Sequence, residues 1–138
     1  MISVEEVRQE IITTFKAAQN SFYPSMLVNY PNYMVVDIEH QEEPFVTVGL
    51  DLTETPVAAL GEREILVNGS LFLFYYYRTG TGVASSFTYT DFVNMQLGMK
   101  LEGAIQYQAV HSAIFQDIPG WDGRVTTLPF IVVSSISC

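Results

Sequence analysis

The residues able to do chemistry in this 138-residue chain are few. His40 follows Glu39 and precedes a polar turn, and His111 closes a strand-like stretch. Metal sites set their ligands at fixed short spacings, and neither histidine has a partner so placed, so both read as surface or strand-end residues. Cys138 is the only cysteine and the last residue, with no neighbour to lower its pKa and no second thiol for a disulfide. The serine pairs Ser85-Ser86 and Ser134-Ser135 lie outside any G-x-S-x-G elbow.

Carboxylates are the remaining candidates. Asp37-x-Glu39 and Glu62-x-Glu64 have the spacing that puts two acids on one face of a strand, and Glu42-Glu43 are adjacent. Such pairs could serve acid–base catalysis or hold a cation, and a solvated strand face accounts for them equally well. The Gly80-Thr81-Gly82 stretch precedes a helical pattern, which invites a test as a phosphate cradle. It lacks the Gly-Lys-Ser/Thr ending, it is not G-x-G-x-x-G, and Arg78 is the one nearby cation. It reads as a connection from strand to helix. The expectation is a protein without catalysis, cofactor or metal.

The elements that carry these residues follow from periodicity. Ser3 and Glu6 form a capping box, and Val4, Val7, Ile11, Phe15 and Ala18 make one apolar stripe, so a first helix is expected over residues 3–20. From Met26 to Leu52 the pattern is strand-like, with a clean strand at FVTVGLDL (Phe45 to Leu52); Thr53 to Gly61 reads as a loop. Ile65 to Tyr77 is the strongest strand pattern. Asn68-Gly69 within it suits either a hairpin turn or, preferably, one long strand with a bulge or close contact at Gly69. Both faces of Leu71 to Tyr77 are apolar, which calls for a helix on one side and a helix or another subunit on the other.

After the loop RTGTGVASS a second helix is expected from Phe87 to Gly98, with Phe92, Met95 and Met99 on its stripe and Gly98 as its C-cap. Leu101 to Ala109 alternates as one half-exposed strand, IPGWDG is a turn, and RVTTLPFIVVSSIS is a last strand bent near Pro129. The order α-β-β-β-α-β-β gives an α+β fold: a mainly antiparallel sheet with both helices packed on it, in one domain over residues 1–138.

Composition limits the partners. Hydrophobic residues make up 49% and charged residues 15%, against about 25% charged in an ordinary soluble protein. Part of the apolar excess belongs to an interface, or the sheet is unusually well filled; both readings stand. The net charge is −9, and Arg8, Lys16, Arg63, Arg78, Lys100 and Arg124 are scattered, so sequence-specific nucleic-acid binding is not expected. Eight carboxylates between Asp37 and Glu64 meet one base, Arg63. No apolar run approaches the ~20 residues of a membrane span, and the acidic start MISVEEVRQE is unlike a signal peptide; the lone Cys138, which leaves no intrachain disulfide, fits a reducing compartment such as cytoplasm.

Four blocks, taken in order, resemble the tail terminator (tail-completion) proteins of long-tailed bacteriophages. They are PFVTVGL at Pro44 to Leu50, ALGEREILVNGSLFLFYYYRTGTG at Ala59 to Gly82, the helix around DFVNMQLG, and WDGRVTTLPFIVV at Trp121 to Val133. With the first helix they span nearly the whole chain. The chain departs from the family pattern in NYPNYMVVDIEHQEE and in its unusually aromatic FLFYYY. The resemblance implies a structural virion protein of the neck region, assembled in the host cytoplasm. Such a protein would form a homo-hexameric ring that caps the tail tube, ends its polymerisation and joins it to the head connector. It further implies a subunit or tube interface, assigned to Tyr75, Tyr77, Arg78 and Arg63, and an acidic lumen, assigned to Glu42 and Glu43; it implies no catalytic residue. Two alternatives are another head–tail neck or connector protein, and a small α+β module that binds a ligand or peptide through an aromatic pocket around Tyr75 to Tyr77.

Overall fold

In the computed structural model the described residues are 4–31, 36–59, 62–102 and 105–137, with side chains of residues 54–66 and 133–137 outside the description. Helix α1 spans Val4–Phe22. Val7, Ile11 and Phe15 recur every four residues and are wholly buried, each contributing about 1.5–3 kcal/mol relative to an exposed position. Glu5 and Arg8 pair on the exposed side at 2.6 Å. The helix closes with the Tyr23 amide donating to the Gln19 carbonyl, just before Pro24. The expected start at Ser3 lies outside the described residues.

Among the described residues seven strands form one sheet: β1 (Val28–Asn29), β2 (Phe45–Ala59), β3 (Glu62–Arg78), β4 (Leu101–Glu102), β5 (Ile105–Tyr107), β6 (His111–Phe115) and β7 (Trp121–Ser137). Their order is β1-β2-β3-β7-β5-β4, with β6 also beside β7. All pairs are antiparallel except β1 with β2. Helix α2, Val83–Gln96, connects β3 to the second half of the sheet. The protein is therefore an α+β fold with a mainly antiparallel sheet and two helices, in the expected order, with the part after α2 divided more finely.

Both helices pack on the same face. Val46, Val48, Leu71, Leu73, Tyr75, Tyr77, Leu128, Phe130 and Val132 alternate along β2, β3 and β7 and share one core with Val7, Ile11 and Phe15 of α1 and Tyr89, Phe92 and Val93 of α2. Strand alternation sends Phe45, Phe74, Tyr76 and Trp121 to the opposite face, where they form a second cluster.

Several expectations change. Residues 53–59 are not a loop: β2 runs on to Ala59, paired through Ala59 to Glu62. Pro56 is tolerated there because β1 flanks β2 only at Val46 and Thr47, leaving an open edge where a missing N–H costs no ladder bond. β3 passes straight through Asn68 and Gly69 with unbroken register to both neighbours, so there is neither hairpin turn nor bulge. The preferred long strand holds, and of its two alternatives Gly69 is the close contact, since a Cβ there would strike the Asp51 carbonyl oxygen.

Helix α2 begins at Val83, four residues before the expected Phe87, because Gly82 at its N-cap adopts left-handed geometry (φ 74°) that ends the loop early. Met95 is not on the buried stripe; it is 69% exposed, and Ser86, Tyr89, Phe92, Val93 and Leu97 face inward. Gly98 is not the left-handed C-cap, since the positive φ falls on Met99 (61°), whose amide donates to the Gln108 carbonyl. The single strand expected over 101–109 is the short β4–β5 pair, in which Leu101 faces Gln106. The turn expected at IPGWDG ends at Gly120, where β7 begins with Trp121. β7 keeps its register with β3 through Pro129, which falls between the stretch flanked by β6 and the stretch flanked by β5.

Candidate functional site

The centre of the sheet is where the aromatic run Tyr75-Tyr76-Tyr77 lies, and alternation splits it. Tyr75 and Tyr77 were expected at an interface, but at 3% and 4% exposure they belong to the chain's own core. Tyr75 stacks on Tyr89 of α2 with ring centroids 5.0 Å apart and donates to Ser85 Oγ at 3.0 Å. The reason is positional: both lie on the helix-covered face, and α2 begins early enough to roof them. An open aromatic pocket at Tyr75 is thereby ruled out. Tyr77 reaches only the floor of a groove described below.

Tyr76 points the other way. Its ring stacks on Phe45 (centroids 4.7 Å, 14° between planes) and meets Phe115 edge-on at 5.2 Å. Gly123 stands between Tyr76 and Phe115 in the register, and its missing Cβ is what lets Phe115 lie down across β7. The second apolar face of β3 is thus covered near Tyr76 by side chains of β2, β6 and β7 with Val36 and Ile118, where a helix or another subunit had been expected. The Tyr76 hydroxyl donates to Asp117 Oδ2 at 3.2 Å, and burial together with that carboxylate pushes its pKa up to about 12.

Arg78 does not reach out for a neighbour. Its guanidinium lies 4.4 Å from the centroid of the Trp121 ring and donates from Nη2 to the Gln41 carbonyl at 2.6 Å. The side chain of Arg63 lies outside the described residues. Arg78 therefore fastens the segment that carries the acids. Within it, Asp37 Oδ2 contacts His40 Nδ1 at 2.7 Å, and the amides of His40 and Gln41 donate to the Asp37 carbonyl. Residues 37–41 are a turn, so Asp37 and Glu39 do not share a strand face. The His40 hydrogen bond holds the Asp37 carboxyl below its ordinary pKa. Asp37, Glu39 and His40 bring one possible ligand atom each within 4.8 Å of one another, all exposed. Glu42 and Glu43 follow, also exposed. The side chains of Glu62 and Glu64 are outside the description, as is Cys138. His111 opens β6 and is exposed.

The Gly80–Gly82 loop makes no cradle. Thr81 donates both its amide and its hydroxyl back to the Arg78 carbonyl, at 3.0 and 2.8 Å, and Ser85 Oγ donates to the Gly82 carbonyl. A Cβ on Gly82 would come 2.8 Å from that of Tyr77, so this glycine serves both the left-handed turn and the close approach.

The sequence pattern did not single out Arg124. Its alternation with Thr126 and Leu128 was the available signal, because it places an arginine on the same face as core residues. Arg124 is 8% exposed. Its Nε donates to Ser86 Oγ and its Nη1 to Ser112 Oγ, both at 3.2 Å, and its guanidinium lies 3.8 Å from the Phe87 ring centroid. Among the described residues no acid pairs with it. It lines a groove of about 500 Å³ together with Tyr77, Val83, Ile114, Phe115 and Asp122.

These features define a two-layer α+β protein whose helix-covered sheet presents a cation-floored groove at one edge. No protein-family model matches the chain, and no curated protein matches it. A solved structure whose name carries no functional word is similar over 96% of this chain and 96% of that one, with a TM-score of 0.67 and 13% identity. At that identity the similarity speaks for the fold alone. No helix among the described residues is long and apolar enough to cross a membrane.

Proposed function

We propose that this chain is a structural assembly protein of the phage tail terminator kind: a subunit of a homo-hexameric ring that caps the tail tube and joins it to the head connector, without catalysis or cofactor. The observation that carries the reading is where the four resembling blocks fall. PFVTVGL opens β2, the long block is the end of β2 with β3 and its loop, DFVNMQLG lies in and just after α2, and WDGRVTTLPFIVV is most of β7. They build the contiguous β2-β3-β7 centre and its helix, which is the frame of the fold and not a set of separate surface loops.

Two further features support it. Among the described residues the groups able to react are tied into structural bonds or lie exposed, and several large apolar side chains (Phe22, Val83, Phe87, Met95, Met99, Leu101, Ile114) stand more than half exposed in a chain poor in charge. With Tyr75 and Tyr77 in the core, these exposed residues replace them as the contact surface. The exposed Glu42 and Glu43 remain the acids proposed to face the channel, where they would repel a passing phosphate backbone.

The test is the mass in solution by light scattering over a range of protein and salt concentrations, with and without tail tubes. Nine net negative charges per chain oppose closure, so added salt is expected to favour the ring. A protein that stays monomeric under all these conditions contradicts the reading. A second reading, a module that binds a small ligand or peptide, is favoured by one observation, the Arg124 groove. It requires saturable ligand binding by a monomer.

A further inference from the structure

A charge taken out of water is costly unless another charge or several hydrogen bonds meet it. Arg124 is more than nine-tenths buried, and its side-chain contacts among the described residues are two serine hydroxyls and an aromatic face. Among the described residues no hydrogen bond reaches its Nη2 and no carboxylate forms an ion pair with it; Asp122, which lines the same groove, accepts a hydrogen bond from Gln116 Nε2 instead. The guanidinium fork is suited to a carboxylate, and here one arm of that fork faces a groove. Around it stand apolar side chains that nothing among the described residues covers: Val83 and Phe87, each more than half exposed, and Ile114 at 75%. The groove is therefore complementary to a carboxylate carried beside an aliphatic side chain.

The same chain presents that combination elsewhere. In Asp37-Ile38-Glu39, Ile38 stands exposed between two acids. The turn is held in shape by Asp37 with His40, by the Val36 amide on Asn29 Oδ1, and by Arg78 on the Gln41 carbonyl. None of its residues lines the Arg124 groove. Asp37 is occupied by His40, which leaves Glu39 as the carboxylate to be offered.

We infer that the Arg124 groove is a socket for the Asp37–Glu39 turn of a second copy of this chain, with Glu39 meeting the Arg124 guanidinium and Ile38 covering Val83 and Ile114. Socket and knob are different surfaces, so the contact is head-to-tail and each copy keeps one of each free for the next neighbour, which is what a closed ring requires. The inference rests on the self-assembly reading above and gives it a contact.

The experiment measures association by sedimentation across concentration for the wild-type chain and for Ile114→Asp, Glu39→Arg, Arg124→Glu and the exchanged pair Arg124→Glu with Glu39→Arg. Ile114 and Glu39 are exposed, so these two variants keep the fold, and circular dichroism checks all four. Each single substitution is expected to weaken association by about tenfold or more, and the exchanged pair to recover most of that loss. If the wild type associates while Ile114→Asp and Glu39→Arg associate equally well, the socket is wrong and the ring reading survives. If the wild type remains a monomer, both fall. If the monomer instead binds a small carboxylate such as benzoate and Arg124→Glu abolishes it, the groove belongs to a free ligand and the inference is overturned.

Discussion

Tyr89 of α2 donates a 2.7 Å hydrogen bond to Gln19 Oε1 of α1, and both side chains are buried, at 0% and 1% exposure. Two helices separated by the β1–β3 half of the sheet are thus tied by a polar contact inside a mainly apolar core. Gln19 Nε2 turns to the Met26 sulfur at 3.4 Å, so the amide is satisfied at both ends. Burial raises the Tyr89 pKa well above its ordinary value, which keeps the hydroxyl a donor. Tyr89→Phe removes the donor and strands a buried acceptor, and is expected to cost about 1–3 kcal/mol in denaturant unfolding. Combining it with Gln19→Leu should recover part of the loss. An unchanged unfolding midpoint for Tyr89→Phe alone would show the bond to be dispensable.

Gly69 and Gly123 are both close contacts, yet they should respond differently to Ala. At Gly69 the obstacle is the Asp51 backbone carbonyl, fixed in the β2–β3 ladder. At Gly123 it is the Phe115 ring at the sheet edge, which can swing aside. Gly123→Ala is expected to cost about 1–3 kcal/mol, and Gly69→Ala more than that. Thermal unfolding ranks them, and the reverse order would contradict this account.

The raised Tyr76 pKa has a definite sign. The folded state favours the neutral phenol, so its contribution is complete below the ordinary value near 10 and is lost as pH rises through about 12. Removing the nearby charge with Asp117→Asn should bring the Tyr76 titration down toward 10, as read by ultraviolet titration against a Tyr76→Phe control. No change would mean that Asp117 does not govern it.

Glu42 and Glu43 are exposed and follow the turn fixed by Arg78. Substituting both with Lys should leave the isolated fold intact. On the proposed ring reading, particles carrying that variant should eject DNA slowly or not at all, and the wild-type chain should show no measurable duplex affinity at physiological salt. Normal ejection by particles carrying the doubly substituted protein would remove these acids from the channel.

Much of the frame was legible in the residues. The α1 stripe, the central β3 and the long last strand announce themselves by period, because burial on one face leaves a repeat in the sequence. What was not legible depends on contacts between distant parts. Thr53 to Ala59 has turn-like composition, yet pairing with β3 draws it into the sheet. α2 begins early because of Gly82's left-handed backbone, which no capping side chain advertises. Tyr75 and Tyr77 cannot be assigned to core or surface until α2 is seen to roof them. Arg124 is one scattered base in the sequence and becomes a site only when Ser86, Phe87 and Ser112 arrive from other elements.

The central position of β3 also dictates when the molecule can become safe. β2 and β3 are adjacent in the chain and can pair as soon as both exist, but the other edge of β3 waits for β7, whose partners lie from Arg78↔Trp121 out to Glu62↔Ser137. Pairings so far apart in sequence form slowly. Until they do, the edge beside Leu71 to Tyr77 is a long apolar strand with unpaired backbone, the kind of surface that recruits other chains. During synthesis β7 follows every other described strand, so a nascent chain halted before Trp121 displays that edge in full. Such truncated products should aggregate, and the intact chain is protected only once β7 has paired with β3.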